Sequence, residues 1–270
     1  MAGMDEPIPV LGVNILLDMA QRRKTPLQTS FTEVHQCSVD LRLAILGMLP
    51  FFEGLSPADL SRINQSFREI GFKTNETICY AGDPAEHLFV VADGRVKLMR
   101  HTQAGKEVLV DLLARGEFFG SLSVLGEGVY VDSALAQTSV CILVIDKADF
   151  VQILTRYPSV SLRVIETIAD RLRFAHERLE RLSAGTVEER IAYTLLHLGN
   201  KFGENKRGVG LLIQVPLTRD DLAAMTGATT ETASRVMSQL QKDGLIQSGR
   251  GWVAIRDQEG LREIAGIEAA

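Results

Sequence analysis

Residues Leu217–Ile246 read LTRDDLAAMTGATTETASRVMSQLQKDGLI, the pattern of two helices joined by a tight turn. Thr218 is placed to N-cap the first helix, and Asp220 and Asp221 put acid at the positive end of its dipole. Leu222, Ala223 and Met225 form its apolar side. Gly227 then supplies the left-handed residue that ends a helix most easily. Thr229 caps the second helix, whose buried side is Val236, Met237 and Leu240 at i, i+4 spacing. Glu231, Ser234 and Arg235 lie one turn apart on the opposite face at its N-terminal end. A helix-turn-helix presents base-reading side chains to a major groove from that position. Glu accepts from cytosine N4, Arg donates a fork to guanine or to a phosphate, and Ser adapts to either role.

The same residues also fit a helical hairpin whose polar face meets only water, because short motifs of this kind are common. The next ten residues favour the first reading. Leu245–Gln247 and Trp252–Ile255 are short apolar runs around Ser248-Gly249-Arg250-Gly251, a hairpin composition. Such a two-stranded wing carries Arg250 at its tip, suited to a phosphate contact. Arg219, Arg235, Lys242 and Arg250 supply local positive charge, although the whole chain of 270 residues has a formal charge of −5. Nucleic-acid binding depends on that local face and not on the total.

Length and average hydrophobicity predict a globular protein of two domains. The N-terminal stretch lacks a basic region, and Asn14 and Asp18 interrupt its apolar run, so neither a secretion signal nor a membrane span is expected. Cys37, Cys79 and Cys141 are odd in number and widely spaced, which is no disulfide framework and fits a reducing cytoplasm.

Residues 1–40 read as an N-terminal extension. Asp40–Met48 has a helical pattern, and Ser56-Pro57-Ala58-Asp59 is a strong helix start. From Ile70 to Ile145 the pattern changes to short strands between turns. Thr77–Tyr80, Leu88–Ala92, Val96–Arg100, Val108–Leu113, Ala134–Gln137 and Cys141–Ile145 are the clearest, and Asp93-Gly94 is the sharpest hairpin signal. Asp146 is positioned to cap a short helix, Lys147–Leu154. Pro158 opens a long helix to about Leu182, in which Ile165, Leu172 and Leu179 repeat every seven residues alongside Ile168, Ala175 and Leu182. That a/d seam, wet on its other faces, predicts a two-fold dimer. Ser183-Ala184-Gly185 reads as a break, and Thr186-x-x-Glu189 as a capping box for a helix burying Ile191, Leu195 and Leu198. A loop over Glu204–Gly210 then precedes a strand, Leu211–Val215. The predicted class is α+β: short strands making an all-β sandwich or barrel over 41–157, a dimerisation helix over 158–184 and a winged helix-turn-helix over 185–270.

This order resembles the cAMP-receptor/fumarate–nitrate-regulator superfamily of bacterial transcription regulators. The likeness is carried by Gly116-Glu117-Phe118-Phe119-Gly120, by Glu188-Glu189-Arg190-Ile191-Ala192 and by Glu231-Thr232-Ala233-Ser234-Arg235. For the strands the likeness implies a β-roll of jelly-roll type. Glu-x-x-Ser-Arg is closer to the fumarate–nitrate branch. It implies a TTGAT-like half-site read by Glu231, Ser234 and Arg235, with Thr218, Arg219, Thr229, Thr230 and Arg250 around them. The resemblance also implies a homodimer on double-stranded DNA, RNA polymerase as partner, and no membrane. Its effector pocket falls on Gly116, Glu117, Phe119, Gly120, Ser121, Asp132 and Ser133.

Two departures bear on the effector. The superfamily's cyclic-nucleotide pocket uses a Glu directly after Phe-Gly and an Arg before a Ser. Here those places hold Ser121 and Asp132, and an acid repels the phosphate that Arg would fork. No cyclic nucleotide is therefore expected. A 4Fe-4S cluster is not expected either: Cys141 falls near the distal ligand position of the iron–sulfur members, but Cys37 stands alone in the N-terminal segment. His35 and Cys37 are the candidates for a metal or a haem iron, with Cys79 and Cys141 read as strand core and His87 as solvated. By analogy the signal is redox, gas or another small molecule. A ligand-binding module without a DNA role accounts for the strands but leaves the winged stretch without a purpose. No Gly-rich phosphate loop, HExxH or GxSxG motif suggests an enzyme.

Overall fold

Ser38 and Ser56 cap two helices, α1 (Val39–Gly47) and α2 (Pro57–Asn64), each accepting a backbone N–H from three residues on. A single 3-10 turn, Pro50–Phe52, lies between them. The structure is a computed structural model describing residues 38–101, 107–120 and 128–267. His35, Cys37 and Ser121 lie outside these residues.

Eight strands come next among the described residues: β1 (Arg68–Phe72), β2 (Thr77–Cys79), β3 (His87–Asp93), β4 (Val96–His101), β5 (Glu107–Leu113), β6 (Phe118–Gly120), β7 (Ser133–Ala136) and β8 (Val140–Asp146). They form two antiparallel four-stranded sheets, ordered β1-β8-β3-β6 and β2-β7-β4-β5. Side chains alternate across a strand, and β3 uses both faces. Phe89 and Val91 face the other sheet, where Cys79, Val96, Leu113 and Ala134 meet them. Leu88, Val90 and Ala92 pack outward on Phe51, Phe52, Phe67 and Phe150. This double burial turns an alternating strand into a continuous apolar run. At the Asp93-Gly94 hairpin, Gly94 has φ +83° and a Cβ there would lie 2.3 Å from Ser139 O, so only glycine fits.

Helix α3 (Lys147–Arg156) starts after Asp146. Asp146 holds the cap position but makes no capping bond; its carboxylate instead meets Arg68 at 2.8 Å and His87 Nε2 at 3.2 Å. His87 is therefore bridged and half-buried, not solvated as its sequence setting suggested. Helix α4 (Pro158–Ala184) lays Val160, Val164 and Thr167 on the roll. It runs through Ser183 and Ala184, so the expected three-residue break contracts to Gly185. The capping box of Thr186 and Glu189 then opens α5 (Val187–Phe202).

The remaining elements are β9 (Gly203–Lys206), β10 (Gly210–Ile213), α6 (Arg219–Thr226), α7 (Thr230–Lys242), β11 (Ile246–Gly249), β12 (Trp252–Ile255) and α8 (Gln258–Ile264). Part of the expected 204–210 loop is thus strand: β9 pairs with β10, giving a sheet ordered β11-β12-β10-β9. Ile191, Leu195, Leu198, Leu222, Met237, Leu240, Val253 and Leu261 make this domain's core. Leu109 and Leu112 of β5 belong to the same core, so the C-terminal domain is docked on the roll.

Candidate functional site

The helical pair is fixed by its caps. Thr218 Oγ1 accepts from the Asp221 amide at 3.0 Å, and the Asp221 carboxylate accepts from the Thr218 amide at 3.0 Å. Gly227 ends α6 at φ 62°, in the left-handed region. Thr229 Oγ1 accepts from Thr232 N at 3.2 Å to start α7, and Thr230 Oγ1 donates to Asp220 across the turn at 2.5 Å. Ala233, Met237 and Leu240 bury one face of α7. The opposite face carries Glu231 and Arg235, both exposed, with Ser234 half-buried beside them. Arg250 is exposed at the tip of the β11–β12 wing.

A cavity of about 930 Å³ opens between the roll, α4 and α5. Phe118, Phe119, Tyr130 and Phe174 give it aromatic walls. Arg171 lies over the Phe118 ring at 3.7 Å and donates to Phe118 O at 2.8 Å, while Arg178 donates to Val110 O at 2.9 Å. From α5, His197 and Lys201 close one side. Lys201 Nζ meets Glu117 at 2.9 Å and Asp111 at 3.2 Å. Burial holds the Glu117 carboxyl above the usual carboxylate range, with Lys201 opposing. Burial, then Lys201, holds His197 below the usual histidine value.

These two sites lie in regions with known relatives. Residues 69–157 match the cyclic nucleotide-binding domain, and residues 189–264 match the Crp-like helix-turn-helix domain. The chain is also 34% identical over 216 residues to a cyclic AMP receptor protein of Thermus thermophilus, covering 80% of this chain and 96% of that one. The chain belongs to the Crp/Fnr family of transcription regulators. A solved Crp/Fnr-family transcriptional regulator, also from Thermus thermophilus, superposes with TM-score 0.62 at 26% identity, covering 75% of this chain and all of that one. FixK2 from Bradyrhizobium japonicum gives TM-score 0.66 at 23% identity, over 76% and 98% of the two chains, a likeness of fold. This family member is accordingly a DNA-binding regulator with a winged helix-turn-helix.

Several expected site residues take other places in this Crp/Fnr regulator. Arg219 is half-buried, its Nη2 donating to Ser248 Oγ at 3.1 Å, so it is first a wing contact. Gly116, Glu117, Phe119, Gly120 and Asp132 line the cavity. Ser133 does not: its Oγ accepts from Ala81 N at 2.9 Å. Asp132 is bridged by Arg100 at 2.7 Å. On the faces of the long helix read as wet, Arg171 stays exposed while Arg178 and Arg181 are half-buried, and the three donate to main-chain oxygens of Phe118, Val110 and Ala265 respectively. Cys79 is buried, which pushes its thiol up to about 11. Cys141 on β8 is disulfide-bonded, correcting the expectation of a plain core thiol. Among the described residues no cluster of three or more His, Cys, Asp or Glu is arranged to hold a metal ion, and no helix is long and apolar enough to cross a membrane.

Sequence reading missed His197 and Lys201. Their i, i+4 spacing on α5 was visible, but nothing local marks what they face. It also missed Lys97, which reaches Asp221 at 2.7 Å from β4.

Proposed function

We propose that this Crp/Fnr regulator binds a TTGAT-like palindrome as a homodimer and answers to a signal other than a cyclic nucleotide. Its parts are a sensor over 41–157, a dimerisation helix over 158–184 and a reader over 185–270. The observation that carries the reading is the outer face of α7, where Glu231 and Arg235 stand exposed one turn apart on a helix fixed by its caps. Carboxylate and guanidinium at that spacing match the donors and acceptors of adjacent base pairs in a major groove. The Glu-x-x-Ser-Arg order favours the fumarate–nitrate type of half-site. Ile165, Ile168, Leu172, Leu179 and Leu182 are exposed along α4, and a second copy of the helix would cover them.

The Thermus relative is named for cyclic AMP. In this chain the wall position that would face the nucleotide phosphate holds Asp132, whose carboxylate already engages Arg100. A phosphate entering there meets an acid and must separate that pair, which supports a different ligand. The test is a gel shift on a TTGAT-N4-ATCAA duplex against a scrambled duplex, with and without cAMP, followed by calorimetry. Preference for the palindrome and no cAMP heat are expected. Equal binding to both duplexes refutes the reading face, and micromolar cAMP binding with a gain in specific affinity refutes the account of the pocket.

A further inference from the structure

One hydroxyl joins the two helices of the reader to its wing. Ser248 lies on β11 opposite Val253 of β12. Its Oγ donates to Gln241 Oε1 at 2.8 Å and accepts from Arg219 Nη2 at 3.1 Å. Its backbone N–H donates to the same Gln241 Oε1 at 3.1 Å. Arg219 is the first residue of α6, and Gln241 is in the last turn of α7. All three side chains are half-buried, and burial holds the Arg219 guanidinium below the usual arginine value.

The wing needs such a tie. Its two strands have four residues each, and an isolated hairpin of that size is marginal in water. Ile246, Val253 and Ile255 anchor its base in the core, but Gly249, Arg250 and Gly251 lie beyond that anchor. Apolar contacts are non-directional, whereas a hydroxyl that donates to one helix and accepts from another fixes an angle. The geometry points to Arg219, Ser248 and Gln241 as a brace that orients the wing so that Arg250 meets a DNA phosphate. The three are positioning residues. Glu231 and Arg235 lie toward the N-terminal end of α7, away from Gln241 in its last turn, and read bases without them. The inference rests on the proposed phosphate role of Arg250.

The experiment measures affinity of the full chain for the TTGAT-N4-ATCAA duplex and for the scrambled duplex over a range of salt. It compares wild type, Ser248→Ala, Gln241→Met, Gln241→Glu, Arg250→Ala and the double variant Gln241→Met/Arg250→Ala. Trp252 is the chain's one tryptophan and is buried in the wing, so its emission reports that each variant keeps the wing folded. Ser248→Ala and Gln241→Met are expected to weaken both duplexes alike, about tenfold, and to reduce the salt slope by about one for each wing. Their ratio of specific to scrambled binding stays at the wild-type value. Gln241→Glu keeps the acceptor and a wild-type slope, which a loss of packing alone would not predict. In the Arg250→Ala background Gln241→Met has no further effect. Additive losses in the double variant, or an unchanged slope in Ser248→Ala and Gln241→Met, overturn the brace. A wild type that binds both duplexes equally refutes the palindrome instead, and the slopes on scrambled DNA still judge the brace.

Discussion

Arg235 and Glu231 show how far a single residue can be read from its neighbours. Both come after a Thr229 cap whose hydroxyl bond to Thr232 N is local in sequence, and both lie opposite Met237 and Leu240, which are fully buried. Cap and apolar spacing therefore placed the exposed face correctly. Arg219 was different: its partner Ser248 lies 29 residues away, so nothing near it disclosed a wing contact. The two kinds of arginine should behave differently on DNA. Arg235→Ala is expected to cost about 1–3 kcal/mol of discrimination and to flatten the preference for the palindrome. Glu231→Ala should relax selectivity chiefly at the base pair that it faces. Titrations against duplexes substituted one base pair at a time test this, and equal loss at every position for Glu231→Ala refutes its assignment as a base reader.

Among the elements, several helices were legible because they carry their own start signals, whereas α8 was not read and α3 begins after Asp146 without a capping bond. Ser56, Thr186, Thr218 and Thr229 all accept the amide their side chains were placed for. Strands β1 and β6 were not read. β1 is exposed at four of its five residues, and β6 is three residues long, so each exists only through the pairing that β8 or β3 offers it. β9 was hidden in a polar stretch for the same reason. Helix α4 has the opposite character, since its seam was plain in the heptads. Its first turns are covered by the roll, while Ile165 is 63% exposed, Leu172 56% and Leu179 61%. Covering one such side chain completely is worth about 1.5–3 kcal/mol, and exposed stripes of this kind mark interaction sites. Placing charge at Ile168 and Leu172, as Ile168→Asp with Leu172→Asp, should give monomers with unchanged circular dichroism. Binding to the palindrome should fall to the level of the scrambled duplex, because a single reader spans one half-site. Sedimentation of the double variant as a dimer refutes the seam.

In the whole molecule, the reader rests on its own sensor at three polar points with apolar residues between them. Lys97 of β4 meets Asp221, the capping acid of α6, at 2.7 Å, with both side chains largely buried. Lys201 of α5 meets Asp111 and Glu117 at the cavity wall. Leu109 and Leu112 fill the space between, and Gln137 Nε2 donates to Pro216 O at 3.1 Å. The partners Lys97 and Asp221 are 124 residues apart, so this joint was not legible in any local pattern. It makes the cavity a place where sensor and reader share a wall, and a ligand acts only through a difference in its affinity for two such arrangements. Protons supply a way to test the joint. His197 lies in it, its ring centre 5.0 Å from that of Phe174, facing Lys201 of its own helix, Arg178 of α4 and Asp111 of β5. Burial and then Lys201 hold its pKa below 6.5 in the docked state. A base with a depressed pKa contributes docking stability that is complete above pH 6.5 and is lost as pH falls through 6.5 toward the docked value. Glu117 acts in the opposite sense: burial raises its pKa above 4.5, so acid favours its buried, protonated form, and only as pH approaches that raised value. The net expectation from pH 7.5 to about 6 is loosening, governed by His197. Hydrogen exchange of β5 and α6, corrected for intrinsic pH dependence, should show protection falling over that interval in wild type. His197→Gln, uncharged throughout, should remove most of the fall while leaving protection at pH 7.5 close to wild type. A His197→Gln variant that loses protection with pH as steeply as wild type would show that another group titrates at the joint.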